Sequence, residues 1–228
     1  MSSPELLYRI MGDRSVILEL GDTISPEINR RVRQFSMVLT ENPIEGVVDF
    51  VPAYRSLLII YDPLRIDVAR LKHQIEDLRR KIDKIQIPKA ETVEIPVVYG
   101  GEYGPDLEWV ARYHKTSIEE VIRLHTGTIY QVYMIGFTPG RPYMAELPRS
   151  LITPRRETPR TNVPKGSVAI GKNQTVIYPF ESPGGLHILG RTPMKLFDPG
   201  KSPPTLFEMG DRVKFFPIEE EEFKRWPR

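Results

Sequence analysis

Gly166-Ser167-Val168-Ala169-Ile170-Gly171-Lys172-Asn173-Gln174-Thr175-Val176-Ile177-Tyr178-Pro179 admits two readings, and the choice between them decides the fold. The start of the stretch nearly spells the phosphate loop G-x-x-x-x-G-K-[ST], which would lead into a helix. Asn173, however, stands where that loop needs a hydroxyl to hold magnesium. Ser167 to Ile170 also form a strand-like apolar run rather than flexible backbone, and Gln174 to Tyr178 form the next. The stretch is therefore a hairpin with Gly171-Lys172-Asn173 at its turn. The phosphate loop is rejected.

Outward from this hairpin the same texture continues from Gly136 to Pro193. Gly136-Phe137-Thr138-Pro139-Gly140 precedes it; Ser182-Pro183-Gly184-Gly185 and Gly190-Arg191-Thr192-Pro193 follow it. Rigid turns that carry polar side chains between short strands are how an all-β scaffold presents a site. Thr128 to Phe137 alternates well enough for a strand, and Val213 to Pro217 reads as the last one, so a barrel or sandwich is expected. Before this region come a strand at Glu94 to Tyr99 and a short helix from Asp106 to His114. Ser117-Ile118-Glu119-Glu120 is a capping box that opens a second helix.

The N-terminal part differs. Tyr8 and Ile10, then Val16, Leu18 and Leu20, suggest two strands, and Ser25-Pro26-Glu27 starts a helix with a cap, a first-turn proline and a favourable charge. Val47 to Val51 and Ser56 to Tyr61 form a hairpin, and Val68, Leu71, Ile75, Leu78, Ile82 and Ile85 form one helical stripe. This is β-β-α-β-β-α, a two-layer α+β domain. The pattern shifts at Pro88-Lys89-Ala90, giving domains at 1–88 and 89–228.

Composition narrows the function classes. A net charge of +2 is too small to argue for nucleic acid, and no apolar run reaches the roughly 20 residues of a membrane span. Met1-Ser2-Ser3-Pro4-Glu5 lacks a signal pattern, so a cytoplasmic address is expected. The absence of cysteine excludes a thiolate nucleophile and disulfides, and the 4 histidines lack metal-ligand spacing, so no metal is predicted. No G-x-S-x-G elbow occurs.

Arg149, Arg155, Arg156, Arg160 and Lys165 cluster in a segment stiffened by Pro148, Pro154, Pro159 and Pro164, opposed within it only by Glu157. A rigid rim of guanidinium groups suits a carboxylate or phosphate; a solvated basic loop is the bland alternative. Ser182 to Gly185 read as a tight turn whose Gly184 and Gly185 let a ligand approach closely, leading into a strand that carries His187. His187 is either a general acid or base or a hydrogen-bonded structural residue. His114 and His125 sit at helix ends, where dipole complementation and capping suffice to explain them.

Together these motifs resemble one family closely, the KipI-like proteins, also described as the B subunit of 5-oxoprolinase or allophanate hydrolase subunit 1. The resemblance rests on Gly136–Gly140, Pro154–Arg160, Val163–Ile170, Gln174–Pro179, Ser182–Gly185 and Gly190–Pro193, in that order, with Val51 to Ser56 and Gly104 to Leu107 upstream. Departures stand at Arg141, where the family is usually apolar, at Val176 for glycine, and at Leu186 for tryptophan. The resemblance implies a small α+β domain followed by a cyclophilin-like β-barrel. It also implies two partners, a KipA-like (C-type) chain and an A-type chain of 5-oxoprolinase. The three together open the lactam of 5-oxoproline at the expense of ATP, bound somewhere in the complex. Related readings are an inhibitor of a sensor histidine kinase and a component of a carboxyltransferase or allophanate hydrolase. On the leading reading the substrate is a small anion. Arg155, Arg160, Gln174 and His187 are then the expected catalytic residues. Phe137, Tyr143, Arg156, Tyr178, Gly184, Gly185, Arg191 and Thr192 are expected to bind substrate. One of Arg155, Arg160 or Arg191 would pair with its carboxylate.

Overall fold

A computed structural model describes residues 6–227; Met1 to Glu5, read above for their lack of a signal pattern, lie outside the described residues, as does Arg228. The chain forms two compact units, Met1–Lys89 and Ala90–Arg228.

The first unit has β1 (Leu7–Ile10), β2 (Ser15–Glu19), α1 (Pro26–Glu41), β3 (Val47–Pro52), β4 (Ser56–Tyr61) and α2 (Val68–Ile82). The sheet order is β1-β2-β4-β3, antiparallel throughout. Ser25 caps α1 as its spacing predicted, its Oγ accepting from the Ile28 N–H, and Asp67 caps α2 through Arg70 N–H. Both helices pack one apolar stripe inward: Val32, Phe35, Val38 and Leu39 from α1, and Leu71, Ile75, Leu78 and Ile82 from α2. Strand alternation supplies the other half, with Val16, Leu18, Leu57, Ile59 and Tyr61 buried. Ile85, part of the predicted stripe, lies past the end of α2.

The second unit closes the expected barrel. Its strands are β5 (Thr92–Tyr99), β6 (Ile129–Ile135), β7 (Pro142–Ala145), β8 (Arg160–Val163), β9 (Ser167–Gly171), β10 (Gln174–Ile177), β11 (Ser182–Gly184), β12 (His187–Arg191) and β13 (Arg212–Pro217). Seven of them run β10-β7-β6-β13-β5-β12-β9 around the barrel, and β9 pairs with β10 to close it. Gln174 faces Gly171 across that last pairing, so Lys172-Asn173 is a two-residue hairpin loop, with Lys172 in the left-handed region at φ 53°. The phosphate-loop reading fails on geometry as well as on chemistry. β5 and β13 pair in parallel, whereas the other barrel pairings among the described residues are antiparallel.

Ile95, Val97, Tyr130, Val132, Met144, Val168, Ile170, Ile177, Leu189, Val213 and Phe215 fill the barrel. Leu107, Val110 and Ala111 of α3 (Leu107–Tyr113) and Val121 of α4 (Ile118–Gly127) join the same cluster. Alternation sends the other side chains outward, where Ala169, Val176 and Ile188 meet Val163, Tyr178 and Leu186 in a second cluster. The last three belong to or flank a two-stranded ribbon of β8 and β11. Ser182 to Gly184 are thus a strand and not the tight turn the sequence suggested. Their glycine and proline suit an edge position where few ladder bonds are made. α5 (Glu220–Arg225) ends the fold, and its Phe223 packs on Tyr103.

His125 corrects a second expectation. It is fully buried and bridges Tyr99 Oη (2.8 Å from Nδ1) to Thr175 Oγ1 (3.1 Å from Nε2), stacked on Phe215. Burial pushes its pKa from 6.5 down to about 3, so the ring is neutral and contributes no charge to the helix dipole. A histidine that stays neutral when folded but protonates when unfolded stabilises the fold above pH 6.5 and loses that contribution as pH falls toward 3. Urea unfolding between pH 7 and 4 should therefore show stability declining by up to about 3 kcal/mol. His125→Gln should be less stable at pH 7 but show a shallower decline. Equal slopes in the two proteins would refute the assignment.

Candidate functional site

The functional geometry is built on Asp106, at the start of α3. Its carboxylate is buried, with 4% of the residue exposed. Arg160 grips it with both ends of its fork, Nη1 to Oδ2 at 2.7 Å and Nη2 to Oδ1 at 2.9 Å. Arg156 Nη1 adds a bond to Oδ1 at 2.9 Å, and the Ile188 N–H donates to Oδ2 at 2.7 Å. Burial on its own would raise the Asp106 pKa. The Arg160 and Ile188 hydrogen bonds and the two guanidinium charges outweigh it and hold the carboxyl below its usual range. The basic segment is therefore opposed by an acid from the start of α3, 50 residues upstream of Arg156, and not by Glu157 alone as the sequence suggested.

Beside this cluster lies a cleft of about 500 Å³. One wall is a stack of three rings: Trp109 lies 4.3 Å from His187 with planes 5° apart, and 5.1 Å from Tyr113 with planes 15° apart. The other wall is Pro154-Arg155-Arg156-Glu157-Thr158, fixed in part by the Arg156 N–H donating to the Gly185 carbonyl at 2.9 Å. Two guanidinium groups on Asp106, with Arg155 unpaired among the described residues, leave the cleft a surplus of positive charge.

His187 is buried at the back of the cleft, its Nε2 3.0 Å from the Pro154 carbonyl. A carbonyl can only accept, so Nε2 carries the proton and the neutral ring keeps its lone pair on Nδ1, which is buried without a partner. Burial lowers the His187 pKa, and the Arg156 and Arg160 charges push the same way against Asp106 and the Pro154 bond. A neutral imidazole can take a proton on its free lone pair, but Nδ1 is sealed from the cleft in this structure and must be uncovered first.

The residues expected from sequence fall into three places. Arg155, Arg156 and His187 line the cleft, with Arg160 behind them on Asp106 and Gly185 against Pro159. Phe137, Tyr143 and Tyr178 surround Arg141 instead, its Cζ lying 5.1, 5.1 and 4.0 Å from their ring centres. Gly184 links the two, because a Cβ there would lie 2.2 Å from Tyr178 Oη; only glycine fits. Arg191 and Thr192 sit together at a third point, Arg191 over the Tyr103 ring and the Thr192 N–H donating to the Gly166 carbonyl. Gln174 stands at the start of β10 and is not among the residues lining the cleft. Sequence reasoning missed Asp106, Trp109 and Tyr113. The available signal was their spacing of three and four on one face of a short helix, with two aromatic rings on its solvent side.

Residues 6–207 match the family described as carboxyltransferase domain, subdomain C and D, and the chain belongs to that family. Within it, the chain is 37% identical to the B subunit of 5-oxoprolinase from Bacillus subtilis over 93% of each chain. It is 42% identical to the protein of that name from Haemophilus influenzae, over 90% of this chain and 94% of the other. The solved structure of TTHA0988 superposes with a TM-score of 0.80 at 39% identity over 90% of this chain, which spans 40% of that longer protein. Urea amidolyase of Kluyveromyces lactis shares the fold at a TM-score of 0.79 and 22% identity, over 97% of this chain and 15% of that one. The barrel is thus the cyclophilin-like one that the motifs implied.

Asp106→Asn keeps the size of the side chain and leaves two guanidinium groups against a neutral amide. We expect it to cost about 2–4 kcal/mol in chemical denaturation, since both arginines are partly solvated. A loss under about 1 kcal/mol would show that backbone pairing alone holds the segment.

Proposed function

We propose that this chain is one component of an ATP-dependent 5-oxoprolinase, and that it supplies an anion-binding cleft to a complex with a KipA-like (C-type) chain and an A-type chain. The observation that carries this reading is identity of 37–42% to the B subunits of three 5-oxoprolinases, over at least 90% of both chains. Such coverage includes both the α+β unit and the barrel.

The cleft suits that substrate class. 5-Oxoproline is a small lactam with one carboxylate, and a planar guanidinium recognises a carboxylate through two parallel bonds. Arg155 is the cleft's free guanidinium, whereas the fork of Arg160 is already taken by Asp106. Opening a lactam with water requires an acceptor for the water's proton, and neutral His187, once its Nδ1 is uncovered, is the acceptor this chain contributes.

The near-match to a phosphate loop gives no nucleotide site. The segment that imitates a phosphate loop is the β9–β10 hairpin, and among the described residues no group of three or more His, Asp or Glu could hold a metal. On this reading ATP is bound within the complex. A cytoplasmic address belongs to the same reading, because ATP is its energy source; no described helix is long and apolar enough to cross a membrane.

The test is ADP release from ATP by the chain assembled with its A-type and C-type partners. Release that requires both 5-oxoproline and this chain is the expected result. A complex that assembles yet releases no ADP would overturn the reading. In the active complex, Arg155→Ala should raise the KM for 5-oxoproline at least about tenfold with little change in Tm, since the side chain is exposed and makes no hydrogen bond or ion pair among the described residues. An unchanged KM would remove Arg155 from the site.

A further inference from the structure

Arg141 is the feature that the cleft does not explain. It is 5% exposed, yet its guanidinium makes no hydrogen bond and no ion pair among the described residues, and its Nε is buried without a partner. Its neighbours are aromatic: Tyr178 at 4.0 Å, with Phe137 and Tyr143 at 5.1 Å. Ring faces stabilise a desolvated cation, but they accept nothing from the in-plane N–H donors. The Nε–H is sealed from water without an acceptor, and a buried donor left unpaired carries the cost of its desolvation, while the two Nη groups still reach solvent.

Two further groups point the same way. Tyr178 Oη and Thr138 Oγ1 are also buried without partners. Thr138 belongs to the same turn as Arg141, whose backbone N–H donates to the Thr138 carbonyl. Phe137 in that turn is held at φ 67°, a left-handed conformation that is costly for a bulky residue, and is 72% exposed. The turn thus holds an aromatic ring out at the surface beside a cation whose donors are free.

We propose that Arg141 is the anchor of a second anion site, taking a small organic monocarboxylate whose two oxygens accept from the guanidinium edge and whose body lies against Phe137. Phe137 is the wall that moves to admit it, because Tyr178 is buried and Tyr143 half-buried. The site is separate from the Trp109–His187 cleft and does not depend on the oxoprolinase reading.

The experiment follows the Arg141 Nε–H resonance in a ¹⁵N spectrum of the full chain during titration with sodium acetate and with 5-oxoproline, using sodium chloride as the ionic-strength control. We expect a saturable shift with a carboxylate and none with chloride. Arg141→Gln and Arg141→Met lack that resonance and are followed through the backbone amides of Phe137 and Thr138; Arg141→Gln should weaken carboxylate binding about thirtyfold or more, the effect of removing one member of a desolvated charge pair. Arg155→Gln should leave the shift intact. Arg141→Met provides the folding control: it removes an unpaired buried donor and should match or exceed the wild type in Tm while losing the binding. Either of two results would overturn the proposal. One is a resonance indifferent to both carboxylates, including the case in which only the C-type partner moves it. The other is a Met variant that unfolds, which would make Arg141 a structural residue. Loss of ADP release in the assembled complex would count against the oxoprolinase reading and not against this site.

Discussion

A carboxylate sealed from water must find its hydrogen bonds inside the protein, and Asp106 finds them on segments far apart in sequence. Arg156 and Arg160 come from a loop and from the ribbon strand β8, and the Ile188 N–H comes from the barrel strand β12. The carboxylate ties a surface loop, a ribbon and a barrel to the first turn of α3. Trp109 and Tyr113 follow on the same helix, and Trp109 meets His187 one residue before Ile188. The placement of the cleft is thus a consequence of satisfying one buried charge. A buried ion pair of this kind is a poor source of stability compared with packed hydrocarbon, but a strong constraint on geometry, because any displaced arrangement leaves a charge unpaired.

The barrel separates two kinds of cationic chemistry. At the cleft, guanidinium groups are neutralised in part by Asp106, and the surplus is presented to solvent through Arg155. At Arg141 no acid is paired with the cation among the described residues, and aromatic faces take the place of a counter-ion. Tyr178 lies between the two, with its ring under Arg141 and its hydroxyl against Gly184, which faces Arg160 across the ribbon.

Elements defined by neighbours in sequence were legible. The caps at Ser25 and Ser117, the stripes of α1 and α2, and the Lys172-Asn173 loop each follow from spacing within a few residues. So did the order of α+β unit and barrel. What escaped was set by pairing across the chain. Nothing local marks Asp106 as the partner of Arg160, 54 residues away, or turns Ser182 to Gly184 from a turn into a ribbon strand. Nothing local distinguishes a histidine at a helix end from His125, whose partners lie on β5 and β10. Within the basic segment, Arg155, Arg156 and Arg160 look alike in sequence, and only the fold separates the free guanidinium from the committed ones.

The parallel pairing of β5 with β13 joins the first barrel strand to the last, Thr92 beside Arg212 and Val97 beside Pro217. A growing chain can complete its α+β unit from residues already synthesised, but the barrel has no closing strand until almost all of it has been made. Until then β5 and β6 each wait with an open edge on the side that β13 will occupy. Closing so long a loop is slow, and exposed strand edges invite the wrong partner in the interval. In that interval the charge available on β5 is Glu94, which with Pro96 makes its open edge a poor template for pairing with another chain.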